Sequence, residues 1–220
     1  MRLCPGTLAD VKRTGGGIVV TPLQAQLAGG GARPSALDAF HRARRTFLEG
    51  RRVDMGALAR ELGVNRATLY RWVGSREQLL VEIVWSLGQR TFSALLEDPA
   101  TAAPGRSRSA SVLDAWVHAV IQNPGMRAFV ENEGELALRL LTTRATDFQS
   151  RLLGVVHDVL AADLDSGRVQ TEIPIEDLTY VVVRILESYV YLTLTTGEQP
   201  DADRAGRVLH ALLPAVPANG

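Results

Sequence analysis

Cysteine is all but missing from this chain: Cys4 stands alone among 220 residues. That excludes an intrachain disulfide and a cysteine-rich metal site, and it agrees with a reducing, cytoplasmic setting. Lysine also occurs once, at Lys12, so almost every cation is an arginine. The histidines His41, His118, His157 and His210 lie far apart, with no paired-ligand spacing, so neither a metal nor a cofactor is expected. No apolar run approaches the ~18–20 residues of a membrane span. Ile18-Val19-Val20 is too short for a signal-peptide core. Strand-type alternation is scarce as well. Ala, Leu, Arg and Glu dominate instead, which predicts an all-α fold. With 46% apolar residues, the chain has the means to bury a substantial core in one or two domains.

The net charge is zero but unevenly spread. Residues 1–76 hold 13 basic and 5 acidic side chains, a net +8; residues 77–220 hold 11 and 19, a net −8. A basic first third is an electrostatic footprint for nucleic acid, and the acidic remainder should face away from it.

Val53 to Leu80 carries the densest local signals. Asp54 suits the cap of a first short helix, since its carboxylate accepts from free backbone N–H groups. Ala57, Leu58, Ala59 and Leu62 give that helix an apolar face. Gly63 stands where a helix commonly ends in a left-handed residue, and Val64 anchors the turn. Asn65 then caps a second helix over Arg66–Val73. The turn length and its Gly fit a helix-turn-helix. Ala67 and Leu69 suit packing on the first helix, and Val73 the core, while Arg66, Thr68, Tyr70, Arg71 and Trp72 point elsewhere. Arg reads guanine edges bidentately, Thr offers a methyl or a hydroxyl, and Tyr and Trp donate to phosphate oxygens. Ser75 and Gln78 form a capping box for a third helix. Arg76 in its first turn opposes the helix dipole, which points to an outside anion such as phosphate. Arg51 and Arg52 precede the motif and suit phosphate too. Taken singly, Tyr70 or Trp72 is as readily a core residue; three caps, the Gly turn and the arginines together favour DNA. The expected DNA-binding set is Arg51, Arg52, Asn65, Arg66, Ala67, Thr68, Tyr70, Arg71, Trp72 and Arg76.

At this point LARELGVNRATLYRWVGSREQLL resembles the DNA-binding domain of TetR-type transcriptional regulators. The likeness rests on Ala59, Gly63, Val64, Asn65, Ala67 to Tyr70, Trp72, Val73, Ser75 to Glu77, Leu79 and Leu80. Departures are mild: Asn65 where Ser is commoner, Ala67 for Gly, Trp72-Val73 for an aromatic pair and Arg76 for Lys. They bear on the operator sequence rather than on the motif. WVGSREQLLVEIVW and FVENEGELALRLLT add a fainter likeness to the branch that controls breakdown of lactone quorum signals. The resemblance implies a homodimeric repressor with a C-terminal helical domain that takes a small effector.

The remaining segments fit that plan. Residues 1–34, rich in Gly, read as a flexible arm in which Lys12 and Arg13 can reach phosphate or the minor groove, or as a leader without function. Ser35 opens a helix with an apolar stripe of Leu37, Phe40, Ala43, Phe47 and Leu48. Residues 35–80 form the expected helix-turn-helix domain and 81–220 an effector-binding and dimerisation domain. The helix from Ser75 should continue to about Glu97, and Pro99 to Arg108 is a linker. Further helices are expected over 110–122, from 126 onward with Gly134 marking a kink or room for a ligand, over 143–164, 175–195 and 201–213. Two wide apolar helices end the chain, and Leu178, Val182, Ile185, Tyr189, Leu209 and Leu212 are expected at a symmetric four-helix interface; ordinary core is the alternative. Trp116, His118, Phe129, Glu133, Arg139, Phe148 and Tyr189 are the aromatic or polar residues on mainly apolar helices. They are candidate effector contacts, although core or surface is the plainer reading of each. An enzyme is the rival class, with Glu131, Glu133 and Glu135 beside His118 or His157. Positions two apart on a helix face different ways, which argues against it. A helical protein-interaction module without DNA is the third reading.

Overall fold

The computed structural model describes residues 34–103 and 106–216. Among these the chain forms ten α-helices, a short 3₁₀ turn and one isolated antiparallel bridge between Val169 and Ala215. The architecture is all-α, an N-terminal helix-turn-helix followed by a helical C-terminal domain. The arm expected over residues 1–34 lies, Pro34 apart, outside the described residues.

Helices α1 (Ala36–Leu48), α2 (Met55–Glu61) and α3 (Arg66–Val73) make the helix-turn-helix. Each start is fixed by a side chain that takes up an otherwise free backbone N–H. Ser35 and Asp38 form a capping box. Asp54 accepts from Ala57 N at 2.6 Å and Asn65 from Thr68 N at 2.7 Å. The Ala57 bond holds the Asp54 carboxyl below its ordinary range. Gly63, at φ 67°, supplies the left-handed residue that turns α2 into α3. Ala39, Ala43 and Phe47 form the buried side of α1, whereas Leu37, expected in that stripe, is 66% exposed. Leu58, Ala59 and Leu69 pack behind them. Ala67 does not join Leu69 there; it faces solvent.

Helix α4 (Arg76–Glu97) leaves this domain from a Ser75–Gln78 capping box. A 3₁₀ turn (Pro99–Ala102) follows, then α5 (Arg108–Gln122), α6 (Pro124–Thr142), α7 (Phe148–Asp165), α8 (Ile175–Val190), the short α9 (Leu192–Thr195) and α10 (Ala202–Leu212). Three boundaries differ from the sequence reading for local reasons. The α5 helix starts two residues early because Ser107 caps it. The 143–164 helix begins only at Phe148, because Thr143 and Thr146 hydroxyls donate to the Arg139 and Leu140 carbonyls and close α6 instead. The 175–195 helix breaks at Tyr191, which has non-helical dihedrals and a buried ring. The gap expected between residues 122 and 126 is a corner: Asn123 ends α5 and its side chain caps α6 through Met126 N at 3.1 Å.

Helix α6 kinks at Glu133 (φ −137°, ψ 39°), beside Gly134. The expected kink is present, but the space is not free for a ligand. A Cβ on Gly134 would lie 2.5 Å from Leu194 Cδ2, so Leu194 fills it.

One buried carboxylate ties the C-terminal domain together. Asp163 on α7 is 1% exposed and accepts from Ser109 N at 2.7 Å and Ser107 Oγ at 3.3 Å, at the positive end of α5. Arg168 Nη1 lies 3.7 Å away. Asp163→Ala leaves these donors buried without an acceptor, at a cost of about 1.5–3 kcal/mol. Urea unfolding of the two proteins measures it; a loss below about 0.5 kcal/mol would contradict this role for the carboxylate.

Candidate nucleic-acid interface and interior cavity

The outer side of α3 is open. Arg66, Ala67 and Arg71 are exposed, Tyr70 is 41% exposed and Thr68 is half-buried. Asn65 at its head is exposed, with its side chain committed to the Thr68 N–H. Trp72 is different: it is half-buried and packs against the core. It braces the helix from within rather than standing with the exposed set.

Arg76 also departs from expectation. Its Nη2 lies 2.6 Å from Glu133 Oε1, and its Nε donates to the Val53 carbonyl at 2.7 Å. The anion that balances this cation at a helix start is therefore Glu133 of α6, inside the chain, and not a phosphate. Arg52 Nε sits 3.6 Å from the same carboxylate, and Arg51 pairs with Glu49, though both arginines remain exposed. Together with Phe129 they border a cleft of mixed polar and apolar lining, about 550 Å³, between α1, α4 and α6. Glu133 and Phe129 thus serve the junction between the two domains, where Phe129 packs edge-on to Phe47 at 5.9 Å.

A second space lies within the C-terminal domain. It measures about 60 Å³, with walls from α4 (Val84, Gly88), α5 (Trp116), α7 (Phe148, Leu152) and α8 (Leu186, Glu187). Of the candidate effector contacts, Trp116 and Phe148 border it. Arg139 instead reaches Glu77, and Tyr189 lies under the Arg204 guanidinium at 5.8 Å. The sequence reading missed Gly88 and Glu187. Each had a signal: a glycine in the middle of an apolar helix and a carboxylate on another. Burial pushes the Glu187 carboxyl above its ordinary range, and Arg184 Nη1 at 2.9 Å and the Gln149 amide work against that.

His118 belongs to a different cluster, on the seam between α5 and α10. Its Nε2 lies 3.0 Å from Asp203 Oδ1, and its Nδ1 lies 3.0 Å from the Asp114 carbonyl oxygen. His210 Nε2 stands 3.4 Å from Asp114 Oδ2.

The expected interface residues divide. Leu178, Val182 and Leu209 are fully buried in the subunit's own core, so they make no face for a partner. Their inward turn is set by α8 packing on α7 and α10 on α5. Ile185, Tyr189 and Leu212 are half-buried. The apolar side chains that α8 and α10 do expose are Tyr180 (56%), Val181 (42%) and Val208 (37%).

An open, capped second helix of a helix-turn-helix, joined to an α-helical domain with an interior apolar cavity, defines a DNA-binding regulator of the one-chain, ligand-responsive class. The family described as "Tetracyclin repressor-like, C-terminal domain" matches residues 104–214, half of the chain. The chain belongs to the TetR family of transcriptional regulators. It is similar to the transcriptional repressor QsdR of R. erythropolis, also of that family, at 26% identity over 84% of this chain and 96% of that one, with a TM-score of 0.68. A TetR transcription regulator from Haloarcula marismortui shares the fold at 14% identity and a TM-score of 0.56, covering 82% of this chain and 98% of that one. No curated protein matches the chain.

The His118 cluster gives a pH dependence. The bond at the Asp114 carbonyl oxygen, then Asp203, raises the imidazole above its ordinary 6.5. A raised folded value means that the added stability is fully present below the unfolded value and fades as pH rises through the folded one. The wild-type protein should exceed His118→Gln in unfolding free energy by more at about pH 5.5 than at about pH 8. An equal gap at both would remove the cluster from the stability of the seam.

Proposed function

We propose that the chain is a homodimeric repressor that binds a palindromic operator and is released from it by a small, largely apolar effector. Residues 35–80 read the DNA and residues 81–220 bind the effector and the second copy. The observation that carries this reading is the shared use of α4. Only two residues separate it from the end of the exposed reading helix, and Val84 and Gly88 on it wall the interior cavity.

Two α3 helices, presented side by side, enter successive major grooves about 34 Å apart. Arg66 and Arg71 reach base edges or phosphate, Thr68 and Tyr70 add hydroxyls, and Ala67 offers a methyl-sized contact that lets the helix come close. The exposed apolar residues Tyr180, Val181 and Val208, with Ile185 and Leu212 at their margin, form the dimer face. An effector in the cavity favours a spacing of the two readers that no longer fits the groove pitch, which requires different affinities for the two conformations. The likeness to QsdR, a repressor, supports the sign of the response. A lactone is one small, mainly apolar molecule of the size class, as the sequence resemblance implies. No helix of the described residues is long and apolar enough to cross a membrane, and we place the regulator in the cytoplasm with its DNA. The arm over residues 1–34 is a further candidate for contact with the backbone of the operator.

Footprinting of the purified protein on genomic fragments identifies the operator. On that site, Arg66→Ala and Arg71→Ala should each cost about 1–3 kcal/mol of affinity with helical content unchanged. A residue that contacts only phosphate should instead flatten the salt dependence by about one unit of slope. Folded variants that bind the operator as tightly as the wild type would refute α3 as the reader.

A further inference from the structure

Three helical glycines of the C-terminal domain have a steric reason to be glycine. A Cβ would lie 2.4 Å from the Phe47 carbonyl oxygen at Gly125, 2.5 Å from Leu194 at Gly134 and 2.4 Å from Asp114 at Gly206. Gly88 has none. It sits in the middle of α4, where glycine is a destabilising choice compared with alanine. The atoms nearest to a Cβ there are Trp116 Cζ2 and Nε1, both at 3.9 Å, an ordinary contact distance. Gly154 of α7 has no steric reason either, but it borders none of the cavities described; Gly88 does wall one, together with Trp116, and its bare backbone leaves that space open.

One residue of this wall also carries an unused donor. Trp116 is 6% exposed, and its indole N–H is buried without a hydrogen-bond partner. Buried donors are normally satisfied, so an orphan marks a missing acceptor. The ring does not swing to find one: it stacks on Phe92 of α4, with centroids 4.9 Å apart and planes at 22°. The Thr91 hydroxyl, another group of this wall, already donates to the Leu87 carbonyl at 2.9 Å. The Glu187 carboxylate borders the same space, with its charge balanced by Arg184. A second, incoming carboxylate would have no cation left to meet.

We propose that Gly88 and Trp116 form the polar subsite of the effector cavity, and that the subsite selects an uncharged, mainly apolar molecule whose carbonyl-type oxygen accepts from Trp116 Nε1. This assignment rests on the effector-cavity reading above and supplies its chemistry. The apolar walls, Val84, Phe148 and Leu152 among them, enclose the body of the molecule. The Trp116 N–H orients it, with the Tyr191 and Asn123 side chains as the other uncharged polar groups of this wall beside Thr91. An apolar pocket with few placed polar groups is the usual form of a small-molecule site.

The test uses the full-length protein labelled with ¹⁵N at the indoles of its three tryptophans, Trp72, Trp85 and Trp116. Trp→Phe variants assign the signals. Cyclohexanone, methylcyclohexane and cyclohexanecarboxylate serve as probes of matched size. Cyclohexanone should move the Trp116 N–H signal downfield to saturation, and the other two should not. Trp116→Phe should weaken ketone binding about fivefold, the worth of one neutral hydrogen bond. Gly88→Ala should raise Tm by about 2–4 °C and yet weaken ketone binding at least as much, because the added methyl occupies the preserved space. A merely structural glycine gives the opposite pair: lower Tm with binding retained. A Trp116 signal unmoved by cyclohexanone, or Gly88→Ala binding it as the wild type does, overturns the subsite. Operator affinity is read in the same samples. A normal Trp116 response with operator binding untouched by the ketone overturns effector control while leaving the subsite; tight operator binding with a silent Trp116 overturns the subsite alone.

Discussion

The covalent continuity of one helix, α4, constrains everything else in this molecule. Its 22 residues span about 33 Å at 1.5 Å per residue. Its first turn is set by the local Ser75–Gln78 capping box and tied to the DNA-reading domain by Arg76, which is bonded to Val53 in the helix-turn-helix and to Glu133 on α6. Its middle walls the interior cavity. A helix of that length carries a displacement from one end to the other with little loss, because interiors are packed too densely to absorb it. Gly74, at φ 69°, is the one residue between the end of α3 and the Ser75 cap. With so short a joint, α3 and α4 have little freedom to move apart.

The kink in α6 has a place in the same argument. Glu133 leaves helical dihedrals where its carboxylate meets Arg76 and Arg52, both from the helix-turn-helix side. Gly125, at the start of the same helix, lies under the Phe47 carbonyl of α1. The two domains therefore touch through charge pairs, one close backbone approach and the packing of Phe47 on Phe129, beside a cleft of mixed lining. The hydrophobic core also runs across this junction, so the two domains are coupled by packing as well as by charge.

Local chemistry was legible in the sequence, and orientation was not. The caps at Ser35, Asp54, Asn65 and Ser75, and the Gly63 turn, depend on residues two to three positions apart, so a sequence carries them whole. Arg66, Thr68, Tyr70 and Arg71 were placed on the outer side of a short helix for the same reason. Arg76 was misread because its partner, Glu133, lies 57 positions further along. Leu178, Val182 and Leu209 do not form an interface because α8 is apolar around more than one face and the single apolar face of α10 packs on α5. Which face turns inward is settled by α7 and α5, not by the pattern itself. The candidate effector contacts divide in a related way. Size and polarity picked out Trp116 and Phe148, but also Arg139 and His118, whose partners Glu77 and Asp203 hold them outside the cavity. Gly88 escaped because a residue without a side chain is seen only through what surrounds it.

Two cavity walls have second duties, and this joins the parts into one device. Helix α4 leads to the reading helix. Helix α8 presents Leu186 and Glu187 to the cavity, and Tyr180 and Val181 to the exterior. Arg184 spans those two sides: its Nη1 bonds the Glu187 carboxylate at 2.9 Å, while its guanidinium lies 5.2 Å over the Tyr180 ring. A molecule that enters between α4 and α8 therefore bears on the DNA reader and on the outward apolar face together. A change at only one of them would be the harder outcome to build, since the space is small and the opposing walls are packed. The free energy available for either change is limited to the difference in affinity between the narrow and the widened cavity. Moving a two-state population from 1:99 to 99:1 takes about 5.5 kcal/mol. An apolar body buried in a mainly apolar pocket, oriented by one hydrogen bond, is of the right order to supply it. A small space that needs widening, set between the two helices that carry these duties, is where that difference in affinity would arise.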